Sequence, residues 1–283
     1  MTYRRTNIDH KKPLITVLMP AYNMELHIDQ AIESILDQTF HNFELIIIDD
    51  ASSDKTRNII KAYMKKDARI KMIINKKNLK LAGSLNEGIE KAKTQIIARM
   101  DPDDISDPER LITQFKFLKE HPRVAIVGTN IQIINNEGKI ISKREYPTTS
   151  AELKKIMFRY SPFAHPAIMF RKNIFEEFGG YDETMKVCED IDLWFKIGSK
   201  YEFANIPKIL LTYRLLSTSG THSNLKTVEI LGFKIKFNAI YKYHYKPSIY
   251  DILYNLLEFI SLWFIPDKIR IWSYNFLRSR KLI

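Results

Sequence analysis

The chain has 283 residues, of which 45% are hydrophobic and 27% charged, with nine glycines and eleven prolines. That composition excludes a disordered or collagen-like chain, and the length allows a core that needs no disulfide or structural metal. The single cysteine, Cys188, excludes an internal disulfide and a Cys-rich zinc site, while a net charge of +11 points to an anionic partner.

Residues 1–12 are polar and basic, and the apolar run Leu14–Met19 is too short for a signal peptide. The expectation is a cytoplasmic chain, peripheral on the inner face of the membrane if its tail binds lipid. Five short runs rich in Ile and Val follow in order: Ile15–Met19, Leu45–Ile48, Ile70–Ile74, Ile96–Met100 and Val124–Val127. They are nearly continuous in apolar residues, as strands buried on both faces should be. Helical periodicity fills the gaps at 27–37, 55–66, 82–92 and 108–120, the last opened by Asp107 as cap and Pro108 in the first turn. The alternation predicts an α/β fold with an open, mostly parallel sheet flanked by helices, whose ligands bind beyond the carboxyl ends of the strands.

The rhythm changes after residue 128. Ile131–Ile134 and Lys139–Lys143, joined by Asn135-Asn136-Glu137-Gly138, read as a hairpin. Helices are expected at 150–159 and 189–199, and strands at 166–170 and 208–214. From 221 the chain reads as helical, with breaks near Pro247 and Pro266, so two units are expected: 1–220 and a basic, amphipathic extension at 221–283.

Acidic residues gather where the sheet reading puts strand ends. Asp49 and Asp50 follow one strand, Asp101, Asp103 and Asp104 follow another, and Glu189, Asp190 and Asp192 open a helix. Carboxylates packed this closely repel unless a cation or hydrogen-bond donors offset them. They are hard oxygen ligands suited to Mg²⁺ or Mn²⁺, especially with a phosphate completing the shell. Tyr22, in Pro20-Ala21-Tyr22-Asn23 beyond the first strand, can lie against a nucleobase.

These segments resemble the family 2 glycosyltransferases of GT-A fold (Rossmann-like nucleotide-diphospho-sugar transferases). The resemblance rests on Val17–Asn23, Gln38-Thr39-Phe40, Phe43–Asp54, Asn86–Ile89, Arg99–Asp104, Pro108–Leu111, Glu189–Trp194 and Tyr213-Arg214, over roughly 13–216. It implies an inverting, metal-dependent transferase that moves a sugar from a UDP-linked nucleotide donor to a glycan or lipid-linked acceptor in surface-polysaccharide synthesis. The implied roles are nucleotide and donor binding for Pro20, Ala21, Tyr22, Asn23, Asp49, Asp50, Arg99, Asp101 and Asp103. Asp103, with Asp101 and Asp104, would hold Mn²⁺ or Mg²⁺. Asp190, oriented by Glu189, would be the general base. His165, Asp192, Trp194 and His222 are candidates for acceptor or donor contact, His222 because Leu216 stands where the family often has a His. The pattern also departs at Lys80, where the family often has Gly. Cys188 reads as passive.

Residues 226–283 carry ten Lys/Arg against four acids, a net +6, so the positive charge concentrates in the tail. Within Ile249–Ile265, Asp251, Asn255, Glu258 and Ser261 form one helical stripe and leave a wide apolar remainder. After Pro266, Ile269, Trp272 and Phe276 share a face. The expectation is contact with an anionic membrane surface through 248–283, against packing on the catalytic unit or on a second subunit. A polyprenyl-phosphate acceptor, or nucleotide-sugar binding without turnover, are the rivals. No nucleic-acid recognition motif appears.

Overall fold

The computed structural model describes residues 12–216 and 225–279, with the side chains of Leu225, Trp272, Asn275 and Ser279 outside that description. The first half alternates β1 (Ile15–Ala21), α1 (Ile28–Leu36), β2 (Phe43–Asp49), α2 (Thr56–Met64), β3 (Ile70–Ile74), α3 (Lys80–Lys91) and β4 (Ile96–Arg99). All seven residues of β1 and of β2 are buried, which matches their near-continuous apolar sequence. Strands β3, β2, β1 and β4 pair in parallel in that order, with Ala21 in register with Asp49 and Leu18 with Arg99. Helix α3 lies close against them: a Cβ on Gly88 would meet Ile48 Cδ1 at 2.9 Å.

The remaining elements are β5 (Ile105–Ser106), α4 (Arg110–Glu120), β6 (Val124–Ile134), β7 (Ile140–Arg144), α5 (Ser150–Ile156), β8 (Met169–Arg171), α6 (Lys172–Glu177), α7 (Glu189–Gly198) and β9 (Glu202–Arg214). Strand β8 runs antiparallel between β4 and β6, β6 pairs β9 in parallel, and the short β5 and β7 run antiparallel at the margins. Six of the nine described strands therefore run one way. The sheet is mostly parallel, as expected, but its second half is mixed.

Several boundaries move. The run at 124–127 and the first arm of the hairpin are one long strand, β6, which shifts register against β9 near Asn130. The turn after it closes as expected, with Gly138 at φ +80°. Helix α4 starts at Arg110 rather than at 108. Asp107 caps a preceding turn, its Oδ1 accepting from Glu109 N at 2.9 Å. The expected strand at 166–170 is a 3-10 turn, His165–Ala167, followed by β8. Strand β5 and helix α6 are too short to leave a periodic signal in the sequence.

Two apolar layers cover the sheet. Helices α1, α2 and α4 pack Ile28, Ile32, Ile35, Ile60 and Leu111 on one side. The other side packs α3, α5, α6 and α7 through Leu85, Leu153, Phe175 and Trp194. The C-terminal helices are α8 (Leu225–Tyr243), α9 (Ile249–Phe264) and α10 (Asp267–Ser279), of which α8 joins this second layer. Ile235 and Ala239 of α8 are buried in it, and Tyr245 sits edge-on to Phe195, ring centroids 5.2 Å apart. The extension is thus packed on the catalytic unit. Among the described residues, no helix is long and apolar enough to cross a membrane.

Candidate active site

The carboxyl ends of β1, β2 and β4 share one rim, and the nucleotide-site candidates fall on it. Pro20 and Ala21 are buried at the end of β1, where the Ala21 carbonyl accepts from Asp50 N at 2.8 Å. They shape the rim through backbone. Tyr22 beyond them is 46% exposed, so its ring is free to meet a ligand. Asn23 takes the left-handed conformation, φ +53°, which Asn tolerates, and its Oδ1 accepts from Ser53 N at 2.9 Å. That bond ties the β1 loop to the β2 loop.

Asp49 and Asp50 are both buried. Asp49 accepts from Arg57 Nε at 2.5 Å and from Ser52 N at 3.1 Å. Asp50 accepts from Asn75 Nδ2 and Leu79 N, both at 2.8 Å, and from Lys80 N at 3.0 Å. A carboxylate has about four acceptor sites, so one remains open on Asp50. Lys80 adopts φ +66°, the conformation that explains why Gly is common there. Its N–H bonds to Asp50 and to Asn78 Oδ1 hold the strained turn. Asn75 and Lys80 are the parts of this site that the sequence left without a role.

The second acidic group surrounds Arg99, which is buried at the end of β4. Its guanidinium grips Asp101 with two bonds, Nη1 to Oδ2 at 2.8 Å and Nη2 to Oδ1 at 2.6 Å. Burial works against the Arg99 charge, but Asp101, Tyr181 and Asp104 outweigh it and raise the group above its ordinary range. Burial, reinforced by the Asp101 charge, pushes Asp103 up to about 7. The same two causes, with Asp103 added, hold Asp104 well above the usual carboxylate range. Asp104 Oδ1 accepts from Arg214 N at 2.9 Å, while its buried Oδ2 has no hydrogen-bond partner among the described residues. Arg214, at the end of β9, also donates from Nε to the Asp103 carbonyl at 3.1 Å and from Nη2 to Gln30 Oε1 at 2.7 Å. Arg110 is fully buried and donates to the Arg99 carbonyl at 2.6 Å, so it fixes the strand end that carries this loop. Arg110 lies in the Pro108–Leu111 segment, whose sequence alone does not show this role.

Helix α7 brings Glu189 and Asp190 to the same group. Burial and then Asp190 push Glu189 up to about 7, and burial raises Asp190. Arg99 acts on both, and Asp101 acts on Glu189, so the β4 loop and the start of α7 form one electrostatic unit. The helix begins at Cys188, held at φ +63°. Its thiol donates to the Val228 carbonyl at 3.6 Å, and burial, then Asp190 and Glu189, push it up to about 12. A protonated thiol agrees with a passive Cys188. His165 lies beside this unit, its Nε2 2.9 Å from the Tyr181 hydroxyl. Burial and the Arg99 charge hold His165 well below its ordinary value, so the imidazole is neutral. Tyr181 follows the Gly179-Gly180 pair, and that turn was its one sequence signal.

Two expected acceptor contacts lie elsewhere. Trp194 is fully buried, edge-on to Phe163, His165 and Phe175, because it falls on the sheet-facing side of α7. Asp192 is buried against Lys196 at 2.5 Å, beside Tyr243 of α8. His222 lies outside the described residues.

Among the described residues, no three His, Cys, Asp or Glu side chains converge as a ready-made metal cage. The donor set still fits a hard cation that a phosphate would share. Raised carboxyls and a buried orphan oxygen mark negative charge that the protein's own donors leave unmet.

A parallel βα half with acidic strand ends, continued by a mixed half-sheet, is the GT-A architecture of glycosyltransferases. The profile of Glycosyl transferase family 2 matches residues 16–179, and the chain belongs to that family. The O-antigen biosynthesis glycosyltransferase WbnJ of Escherichia coli is 34% identical over 227 residues, 79% of this chain and 88% of its own. S. aureus TarS 1–349 in complex with UDP-GlcNAc shares the fold with a TM-score of 0.64 at 20% identity, over 80% of this chain and 67% of that one. The mannosyltransferase PcManGT from Pyrobaculum calidifontis, in complex with GDP-Man and Mn²⁺, does so with a TM-score of 0.61 at 15% identity, over 96% and 87%.

Proposed function

We propose that this glycosyltransferase moves a sugar from a UDP-linked donor to a hydroxyl of a growing surface glycan or lipid-linked oligosaccharide, with inversion. The observation that carries the reading is the Arg99-centred group. Two carboxyls there, Asp103 and Glu189, are pushed up to about 7, and both lie at the rim where GT-A proteins bind donors. Tyr22 would lie against the base, and Asp50 has one acceptor site left for a ring N–H. Asp103 and Asp101 would hold Mn²⁺ or Mg²⁺, with Asp104 behind them bracing the loop through Arg214. Bound there, the cation would act as a Lewis acid on the departing diphosphate. Asp190 would take the acceptor proton, a role worth about 10²–10⁴-fold in rate. The Ile191 N–H holds the Asp190 carboxylate at 2.8 Å and the Arg99 charge favours its ionised form, while the neutral His165 would offer a hydrogen bond to a sugar hydroxyl. The acceptor class draws support from WbnJ, and the nucleotide and metal from the ligands of TarS and PcManGT.

Thermal unfolding with UDP, GDP, dTDP and CMP, each with Mn²⁺ and with EDTA, tests the reading. A ligand at 100 times its dissociation constant stabilises the fold by about 2.7 kcal/mol. The expected result is a rise with UDP in Mn²⁺ that EDTA and Asp103→Asn both remove. A rise with GDP instead would change the donor, and no rise with any nucleotide would overturn the site.

A further inference from the structure

Helix α9 turns its polar side to the protein and its apolar side outward. Asp251 caps the helix with Ser248 and pairs with Arg159 at 3.0 Å. Asn255 Nδ2 donates to the Phe158 carbonyl at 2.8 Å, and its Oδ1 accepts from Lys236 at 2.7 Å. Glu258 lies 3.5 Å from Lys236, and Ser261 Oγ accepts from Arg270 Nε at 2.9 Å. The opposite stripe is Leu253, Leu256, Leu257, Ile260, Trp263 and Phe264, which are 44 to 80% exposed. Their spacing lays them along one helical face. A contiguous apolar face of this size marks an interaction surface.

Charge selects the occupant. The acids of the extension are paired with its own cations or buried: Asp251 and Glu258 as above, and Glu229 and Asp267 with Arg270. Lys226, Lys234, Lys242, Lys246 and Lys268 are exposed. Lys226 Nζ stands 3.9 Å over the Trp263 ring, so one of these cations borders the apolar stripe itself. A second copy meeting this face symmetrically would bring like charges together, which disfavours self-association. An anionic lipid surface satisfies both the stripe and the lysines.

We propose that the outward face of α9 docks on an anionic lipid bilayer, with the apolar stripe at the acyl boundary and the flanking lysines among the headgroups. The proposal rests on the reading above only in linking the docked enzyme to a lipid-borne acceptor; docking itself needs no turnover.

Flotation of the full chain with vesicles of neutral phosphatidylcholine, and of phosphatidylcholine mixed with anionic phosphatidylglycerol, provides the test. The chain should float with the anionic vesicles. Leu253→Glu with Leu257→Glu should cut the bound fraction about ten-fold or more. Both positions are exposed, so circular dichroism and UDP binding should stay unchanged. Lys226→Glu with Lys234→Glu should reduce binding to the anionic vesicles. A full chain that floats with neither vesicle, or a Leu253→Glu, Leu257→Glu variant that floats like the parent, overturns the proposal. A dimer in sedimentation velocity that this variant dissociates, without flotation of the parent, overturns it in favour of a second copy. A chain that floats but transfers no sugar supports the docking and breaks the transferase reading instead.

Discussion

At the end of β2, the Asp49 and Asp50 carboxylates are met by Arg57, Ser52, Asn75, Leu79 and Lys80. At the end of β4 and the start of α7, five carboxylates gather around Arg99, which grips only Asp101 directly. There Asp103 and Glu189 are pushed up to about 7, and an oxygen of Asp104 has no partner among the described residues. The two groups share a rim and a residue type, and differ in how their charge is met. A satisfied carboxylate organises backbone, as Asp50 does for the 75–80 loop. An unsatisfied cluster stores unfavourable charge that a cation, or a proton drawn from the substrate, relieves. The first group is read as scaffold for the nucleotide and the second as the reacting centre.

Removing the proposed base should give the largest effect. Asp190→Asn should lower kcat by about 10²–10⁴-fold with nucleotide binding intact, measured by single-turnover transfer to a hydroxyl acceptor. Unimpaired turnover would move the base, and would favour an acceptor that is already ionised, such as a polyprenyl phosphate. Arg99→Lys keeps the charge but loses the two-bond grip on Asp101. It should weaken Mn²⁺-dependent UDP binding roughly 10–100-fold by calorimetry. An unchanged affinity would detach Asp101 from the metal.

The scaffold group should respond in stability. Asp50→Asn replaces one carboxylate oxygen by an NH2 that faces the N–H of either Lys80 or Leu79, and should cost about 1–3 kcal/mol in urea unfolding. If that variant kept its stability but lost UDP binding, the contrast between the two groups would fail. The smallest effect is a pH dependence. Glu189 titrates near 7 in the folded chain and lower when unfolded, so the folded state binds the extra proton between those values. Its contribution to stability is present at low pH and is lost as pH rises through about 7. Without metal, Glu189→Gln should therefore lose less stability than the parent between pH 5 and pH 8, read as the difference in Tm. Transfer should fall on acidification if Asp190 is the base, because it must then be ionised and its carboxyl is raised.

The parallel half of the sheet was legible because β1 and β2 are buried on both faces and its helices are amphipathic. Both are local patterns, and β3 falls on the expected 70–74. The second half was less so. Strand β6 read as two pieces around Gly128-Thr129-Asn130, and β5 has only two residues. Among the acidic residues, sequence order placed the groups at strand ends, and the resemblance gave Asp190 and Asp192 different roles, but neither showed Asp190 half-buried beside Glu189 and Asp192 buried against Lys196. Both sit in the first turn of α7, and a difference of two residues rotates the side chain to the far side of the helix.

Periodicity and turn residues by themselves determined the alternating α/β half, and charge order the acidic strand ends, while the family came from the resemblance of the motifs. Tertiary structure decided which partner each side chain meets: the Arg99 grip on Asp101, the Asp50 bonds to the Leu79 and Lys80 N–H groups, and the burial of Trp194. It also decided that α9 faces its polar stripe inward, because Arg159, Lys236 and Arg270 wait there to bind it. A sequence shows that a helix has two faces, but the groups packed across from it choose which one is covered.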